Sequence, residues 1–175
     1  MVSIPVPDAF ESRTNATFEA LMWALSRPGT LHPLPTSGMA AIAEALVDSE
    51  CRVYTDDPAL ARQIASFGAA LVTVAEADHC FTTNPTPDML AQVAIGSALY
   101  PDAGATLITT ANHGTGQRLR LTGPGIESHT DIALDGVADI WPRRARNRYP
   151  AGFDLFLICG TSVMGLPRST QIEVL

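Results

Sequence analysis

The sequence contains no lysine: all eleven of its basic residues are arginine. Without a lysine amino group, the chain cannot form an internal Schiff base with pyridoxal phosphate or supply a lysine general base. It also cannot contain the phosphate-binding loop motif that ends in Gly-Lys-Ser/Thr. We therefore expect no bound cofactor and no nucleotide site of the P-loop type.

Cysteine and long apolar runs are also scarce. The three cysteines form no Cys-x-x-Cys pair, so neither a disulfide framework nor a zinc ribbon is expected. The four histidines show no metal-ligand spacing, so we expect no metal site. Residues 67–75 form an apolar run of only about nine residues, which is too short to cross a bilayer. The first residues carry no basic region, so we expect no signal peptide and a cytoplasmic, non-membrane protein.

The net charge is negative, at −7 with an isoelectric point near 4.9. A nucleic-acid partner is therefore not expected, because binding to phosphate backbones needs a positive surface. Against this background, one short segment concentrates positive charge. It contains Arg143, Arg144, Arg146 and Arg148. This cluster is either a solvated face or a docking surface for an acidic partner or a phosphate.

The most informative region runs from residue 103 to residue 126. Residues 105–110 form an apolar run that predicts a buried strand, and residues 117–121 alternate as a strand with one wet face does. His113 to Gly116 has the composition of a turn. We therefore predict a central hairpin, followed by the loop Thr122-Gly123-Pro124-Gly125.

Two interpretations of that loop are open: a structural turn, or a phosphate cradle formed by Thr122, Gly123 and Gly125. Arg27 and Arg168 each stand beside a proline in a loop. They either tie these loops to backbone carbonyls and carboxylates or contact an anion. All five residues are candidate anion ligands.

The remaining pattern alternates strands and helices. A capping box at Asp8 and Glu11 predicts a first helix, and the spacing of Phe18, Leu21, Met22 and Leu25 predicts its buried face. Further helices are expected over 39–47, capped by Thr36 or Ser37, over 58–67, capped by Asp57, and over 87–95. Strands are expected over 52–55, 70–74, 78–82 and 131–134, and a hairpin over 153–159 and 161–166. We predict one domain, 1–175, of the α/β class: a three-layer α/β/α sandwich with a mixed sheet.

Five segments in a fixed order carry a family resemblance. They are FEALMWALSRPG (18–29), GATLI (104–108), LTGPGI (121–126), YPAGFD (149–154) and LPRST (166–170). Together they resemble the PhnH subunit of the bacterial carbon–phosphorus lyase system. The resemblance extends over about residues 8–175.

The resemblance implies a fold like that of a pyridoxal-phosphate transferase that binds no such cofactor. It also implies a homodimer in isolation, which joins the PhnG, PhnI and PhnJ subunits in a complex. That complex couples an alkylphosphonate to the ribose of ATP and displaces adenine. The resemblance assigns no catalytic residue to this chain.

Two other functions are compatible with the residues. One is a stand-alone enzyme for a small phosphorylated substrate, using Arg27, Arg168 and the glycine loop. The other is a module that binds small anions (phosphate, phosphonate or nucleotide) without chemistry.

Overall fold

The computed structural model describes residues 6–175. The expectation about a signal peptide concerns residues that lie partly outside this range. The helices are α1 (Ala9–Ser26), α2 (Met39–Leu46), α3 (Pro58–Ser66), α4 (Pro87–Gln92) and α5 (Ile140–Arg144). The strands are β1 (His32–Pro33), β2 (Arg52–Thr55), β3 (Ala70–Leu71), β4 (His79–Phe81), β5 (Thr106–Thr110), β6 (Asn112–Thr122), β7 (Thr130–Asp135), β8 (Asp154–Cys159), β9 (Ser162–Leu166) and β10 (Gln171–Val174).

A seven-stranded mixed sheet forms the centre of the fold, in the order β1-β9-β8-β5-β4-β2-β3. Strands β3, β2, β4, β5 and β8 are parallel, while β9 runs antiparallel to both β8 and β1. The hairpin predicted over 153–159 and 161–166 is the β8–β9 pair, with Leu157 opposite Met164. The α/β class and the mixed sheet are thus confirmed.

The sheet separates two hydrophobic cores, because successive side chains of a strand point to opposite faces. On β5, Leu107 belongs to one core and Ile108 to the other. Helices α1, α2 and α3 pack on the Ile108 face. Helices α4 and α5 pack on the Leu107 face, together with a second sheet in the order β10-β6-β7. The sequence predicts one mixed sheet with helices on both faces, and it does not predict this separate antiparallel sheet.

The predicted central hairpin is wrong. Strand β5 pairs with β4 and β8, whereas β6 pairs with β7 and β10 in the second sheet. A strand that is apolar on both faces suits the buried parallel sheet, and a strand with one wet face suits an outer antiparallel sheet. The glycines of His113 to Gly116 lie within β6, at a shift of register between His113 and Gln117. They form a bulge in one strand and not a turn between two.

The buried face of α1 also differs from the prediction. Thr17, Ala20, Leu21 and Ala24 are buried, whereas Phe18 is 47% and Met22 53% exposed. The small residues allow close approach to β9. A Cβ atom added at Gly165 would lie 2.6 Å from the backbone carbon of Ala24. Of the four predicted residues, Leu21 is buried and Leu25 packs half-buried against the same core, whereas Phe18 and Met22 face outward.

The helix caps were predicted with mixed success. The capping box of Asp8 and Glu11 and the N-cap of Asp57 are both present. The cap of α2 is Gly38, without any side-chain hydrogen bond, so the prediction of Thr36 or Ser37 is wrong. Among residues 6–175, no helix is long and apolar enough to cross a membrane.

Candidate functional site

The glycine loop at residues 122–125 lies against two other loops of the chain. A Cβ atom added at Gly125 would lie 2.3 Å from the carbonyl oxygen of Ser26, and one at Gly123 would lie 3.0 Å from that of Ser169. Both glycines have positive φ, at +83° and +130°, which side chains disfavour. The bare backbone of this loop is therefore in contact with protein, as a rigid corner would be.

Arg168 holds the next of these loops in place. Its guanidinium donates to Asp154 through Nε and Nη2, with Nη2 2.6 Å from Oδ2. It also donates to the carbonyl oxygens of Pro101 and Gly104, and its backbone N–H donates to the same Asp154 carboxylate. Arg168 thus connects the starts of β5 and β8 to the loop after β9. These contacts are those of a side chain that ties loops together.

The arginine cluster divides into inward and outward members. Arg144 is only 7% exposed and donates to the carbonyl oxygens of Phe153, Leu166, Pro167 and Thr170. Burial lowers the pKa of its guanidinium to about 10, because removal from water disfavours the charged form. The hydrogen bonds of Arg143 go to Leu90, Val93 and Asn147. Burial, together with the charge of Arg146, lowers its pKa.

The interpretation as a solvated face is wrong for Arg144, which is buried, while Arg143 is half-buried. Both side chains fasten α5 to its neighbours. The sequence contained a signal for Arg144, which stands four residues after Ile140 and three after Trp141, both buried. Helical spacing places all three on one inward face. Arg146 and Arg148 are exposed, so only these two could serve as docking residues.

Arg27 lies at the end of α1, between Ser26 and Pro28, which both lie close to Gly125 of the glycine loop. Arg27 is exposed, and its guanidinium lies 4.5 Å from the ring centre of Trp23. Such stacking contributes about 0.5–1 kcal/mol at exposed sites.

A cavity of about 520 Å³ opens where the glycine loop, the end of α5 and the loop before β10 meet. Three arginines line it: Arg144, Arg148 and Arg168. Among the described residues, no Asp or Glu side chain lines it. Its size falls in the usual range for small-molecule sites, roughly 300–1,000 Å³. The lining supplies hydrogen-bond donors and positive charge, which suits anion binding.

A second cavity, of about 360 Å³, lies at the carboxyl ends of the parallel strands. The connection after β2 crosses one face of the sheet, and the connection after β4 crosses the other face. The second cavity lies next to this change of face, which is the usual position of a ligand in open α/β sheets. Its one charged lining residue is Asp57, whose carboxylate caps α3. The two cavities therefore differ in charge, and only the first is positive.

Comparison with known proteins shows which family this chain resembles. The family described as "Bacterial phosphonate metabolism protein (PhnH)" matches residues 8–173. A "Putative C-P lyase subunit protein HtxG" of Stutzerimonas stutzeri is 30% identical, over 93% of this chain and 87% of its own length. An "Alpha-D-ribose 1-methylphosphonate 5-triphosphate synthase subunit PhnH" of Rhizobium meliloti (strain 1021) is 31% identical, over 94% and 91%.

Four of the segments that carry the family resemblance come together in the fold. The turn after α1, the glycine loop, the residues before β8 and the loop around Arg168 all meet at or beside the positive cavity. The family match covers every one of them. The chain therefore belongs to the PhnH family of bacterial phosphonate metabolism proteins.

Proposed function

We propose that this chain is a subunit of the carbon–phosphorus lyase complex that degrades organic phosphonates. Its role is to support the transfer of an alkylphosphonate to the ribose of ATP with displacement of adenine. The observation that carries the proposal is the family match over residues 8–173, together with two relatives that align over most of both chains. Both relatives are named as subunits, one of a C-P lyase and one of the triphosphate synthase.

The proposed partners are PhnG, PhnI and PhnJ. We also propose that the chain is cytoplasmic and that it forms a homodimer in the absence of these partners. We also propose that the fold is that of a pyridoxal-phosphate transferase without its cofactor, which agrees with a sequence that lacks lysine. The contacts support a structural subunit. Arg168, in the last of the family segments, and Arg144, in α5, hold loops together through backbone carbonyls and one carboxylate.

Growth on methylphosphonate as sole phosphorus source tests the proposal. A strain that lacks the gene for this chain is expected not to grow, and a plasmid copy is expected to restore growth. Growth on inorganic phosphate is the control and should be unchanged. Normal growth of the deletion strain on methylphosphonate would contradict the pathway assignment.

Copurification tests the partner assignment separately. Tagged PhnI, coexpressed with PhnG, PhnJ and this chain, is expected to retain the chain through gel filtration. Independent elution under conditions in which the other three assemble would contradict it. The purified chain alone is expected to leave a mixture of ATP and methylphosphonate unchanged, and turnover there would indicate a stand-alone enzyme instead.

A further inference from the structure

The arginines that line the positive cavity carry more positive charge than the carboxylates bonded to them neutralise. Of the three lining arginines, Arg168 is paired with Asp154. Among residues 6–175, Arg144 has only carbonyl oxygens as hydrogen-bond partners, and Arg148 donates only to the carbonyls of Ala145 and Asn147. Two cationic side chains thus face one cavity without a bonded carboxylate, in a protein with a net charge of −7.

Arg148 leaves one edge of its guanidinium open. Both of its hydrogen bonds use Nη1, so within residues 6–175 its Nε and Nη2 have no protein acceptor. The same edge holds a carboxylate in two other arginines: Arg120 grips Asp131 at 2.8 and 2.9 Å, and Arg168 grips Asp154. Such an edge binds planar or tetrahedral oxyanions through two parallel hydrogen bonds. In Arg148, this edge is available to a ligand.

Buried polar atoms around the same cavity also lack partners. Thr170 is only 5% exposed and its Oγ1 makes no hydrogen bond, and the same holds for Nδ2 of Asn147. Both residues line the cavity. Buried polar groups are normally paired, so two unpaired polar atoms among the residues that line the cavity make this part of the structure unusually polar.

We propose that this cavity binds the phosphoryl or phosphonyl group of a small molecule, with the open edge of Arg148 as the main contact. Two uncompensated arginines favour an anion of about two negative charges, which a phosphate carries near neutral pH, over a carboxylate with one. Residues of this chain line the cavity, so its binding can be tested on the chain by itself. The proposal therefore goes beyond membership of the complex and stands or fails without it.

Calorimetry on the purified full-length chain tests the proposal, with inorganic phosphate, methylphosphonate and ATP as probes and acetate as the carboxylate comparison. At low salt, at least one phosphorus-containing probe is expected to bind. The variant Arg148→Gln is expected to weaken that binding roughly tenfold or more, as loss of a charge-assisted bidentate contact does. Arg146→Gln is the matched control, because it removes the same charge two residues away, outside the cavity.

Two results would overturn the proposal. One is equal binding by the Arg146→Gln and Arg148→Gln variants, or no heat from any probe at low-millimolar concentration. The other is acetate binding as tightly as phosphate. Urea unfolding of both variants verifies that they fold. Amide chemical shifts give an independent test: phosphate should move the signals of residues 147–149 and 168–172 in the wild-type chain and leave those beside the second cavity unchanged.

Discussion

The side chain of Arg144 connects several loops by donating hydrogen bonds to their backbone carbonyl oxygens. It joins the end of α5 to Phe153 before β8 and to the loop between β9 and β10, through carbonyls that are far apart in sequence. The guanidinium also lies 5.4 Å from the ring centre of Phe153. Burial of a cation costs desolvation energy, and the hydrogen bonds from Arg144 to these carbonyl oxygens offset that cost.

Replacement of Arg144 by leucine should therefore destabilise the protein. Four carbonyl oxygens lose a donor, although that of Pro167 keeps the N–H of Thr170. Each buried acceptor left unpaired costs about 1–3 kcal/mol. We expect a loss of at least about 3 kcal/mol in the free energy of unfolding, measured by urea denaturation. The exposed Arg146→Leu, in the same segment, should change it by about 0.5 kcal/mol or less. Equal losses in the two variants would contradict the structural role.

At the level of single residues, the sequence predicted that the arginine cluster was unusual but not where its members point. Composition showed four arginines within residues 143–148. The inward direction of Arg143 and Arg144 depends on α5, which is short and contains Pro142, so its helical period is weak evidence. The partners of Arg144 are backbone oxygens, which any sequence supplies and which therefore leave no pattern to detect.

At the level of elements, the glycine loop is defined by what touches it. Gly125 has a φ of +83° and would place a Cβ atom 2.3 Å from the carbonyl oxygen of Ser26. Gly114 has a similar φ of +90°, but an added Cβ would meet nothing within 4 Å. The two positions therefore share the backbone conformation and differ in the close approach.

Comparison of Gly125→Ala with Gly114→Ala separates these two effects. The left-handed conformation alone should cost about 1–2 kcal/mol in each variant. Gly125→Ala should cost clearly more, because the loop and the end of α1 must also move apart. Thermal unfolding of both variants measures the difference. Similar melting temperatures would show that the loop is not held against α1 in solution.

Among the elements, strands with an unambiguous pattern were predicted well. The β8–β9 hairpin follows from two apolar runs joined by a short turn. The short turn fixes which residues of the two strands pair. The β5–β6 hairpin was wrong although the local signals were similar. The single residue Ala111 stands between these strands, and the chain changes sheet there. Which sheet a strand joins is decided by tertiary packing, which local periodicity does not contain.

At the scale of the whole molecule, stability should fall on acidification. Burial lowers the pKa of His79 from its usual 6.5, although Asp78 and Asp48 oppose the shift. The unfolded chain therefore takes up a proton below about pH 6.5 before the folded chain does, and stability is lost as pH falls from there. Hydrogen bonds from Arg120 lower the pKa of the Asp131 carboxyl, so further stability is lost near and below its ordinary value of 3.8.

Urea denaturation at pH 7.5, 5.5 and 4.0 measures this dependence. We expect the free energy of unfolding to decrease at each step. His79→Gln should flatten the step from pH 7.5 to 5.5. A free energy of unfolding that rises between pH 7.5 and 5.5 would show that His79 is not held neutral in the folded chain.

The class of the molecule was predictable because it depends on many elements together. Alternating strand and helix patterns predicted the mixed sheet with helices. The small sheet β10-β6-β7 was not predicted as a unit, because it joins residues 112–135 to residues 171–174 across a long separation in sequence. The positive cavity beside it could not be predicted for the same reason. Its walls come from three distant segments, and only the fold brings their charges together.

The packing of α1 against β9 has a consequence for biosynthesis. Ribosomes synthesise the chain from its amino end, so α1 and β1 emerge well before β9, on which both depend. A nascent chain that stops before residue 162 would present the alanine face of α1 and the open edge of β1 to the cytosol. Domains of this kind cannot fold progressively as they are made. The central sheet is completed only after residue 166 has been made, and the cavity needs residues 168–172 as well.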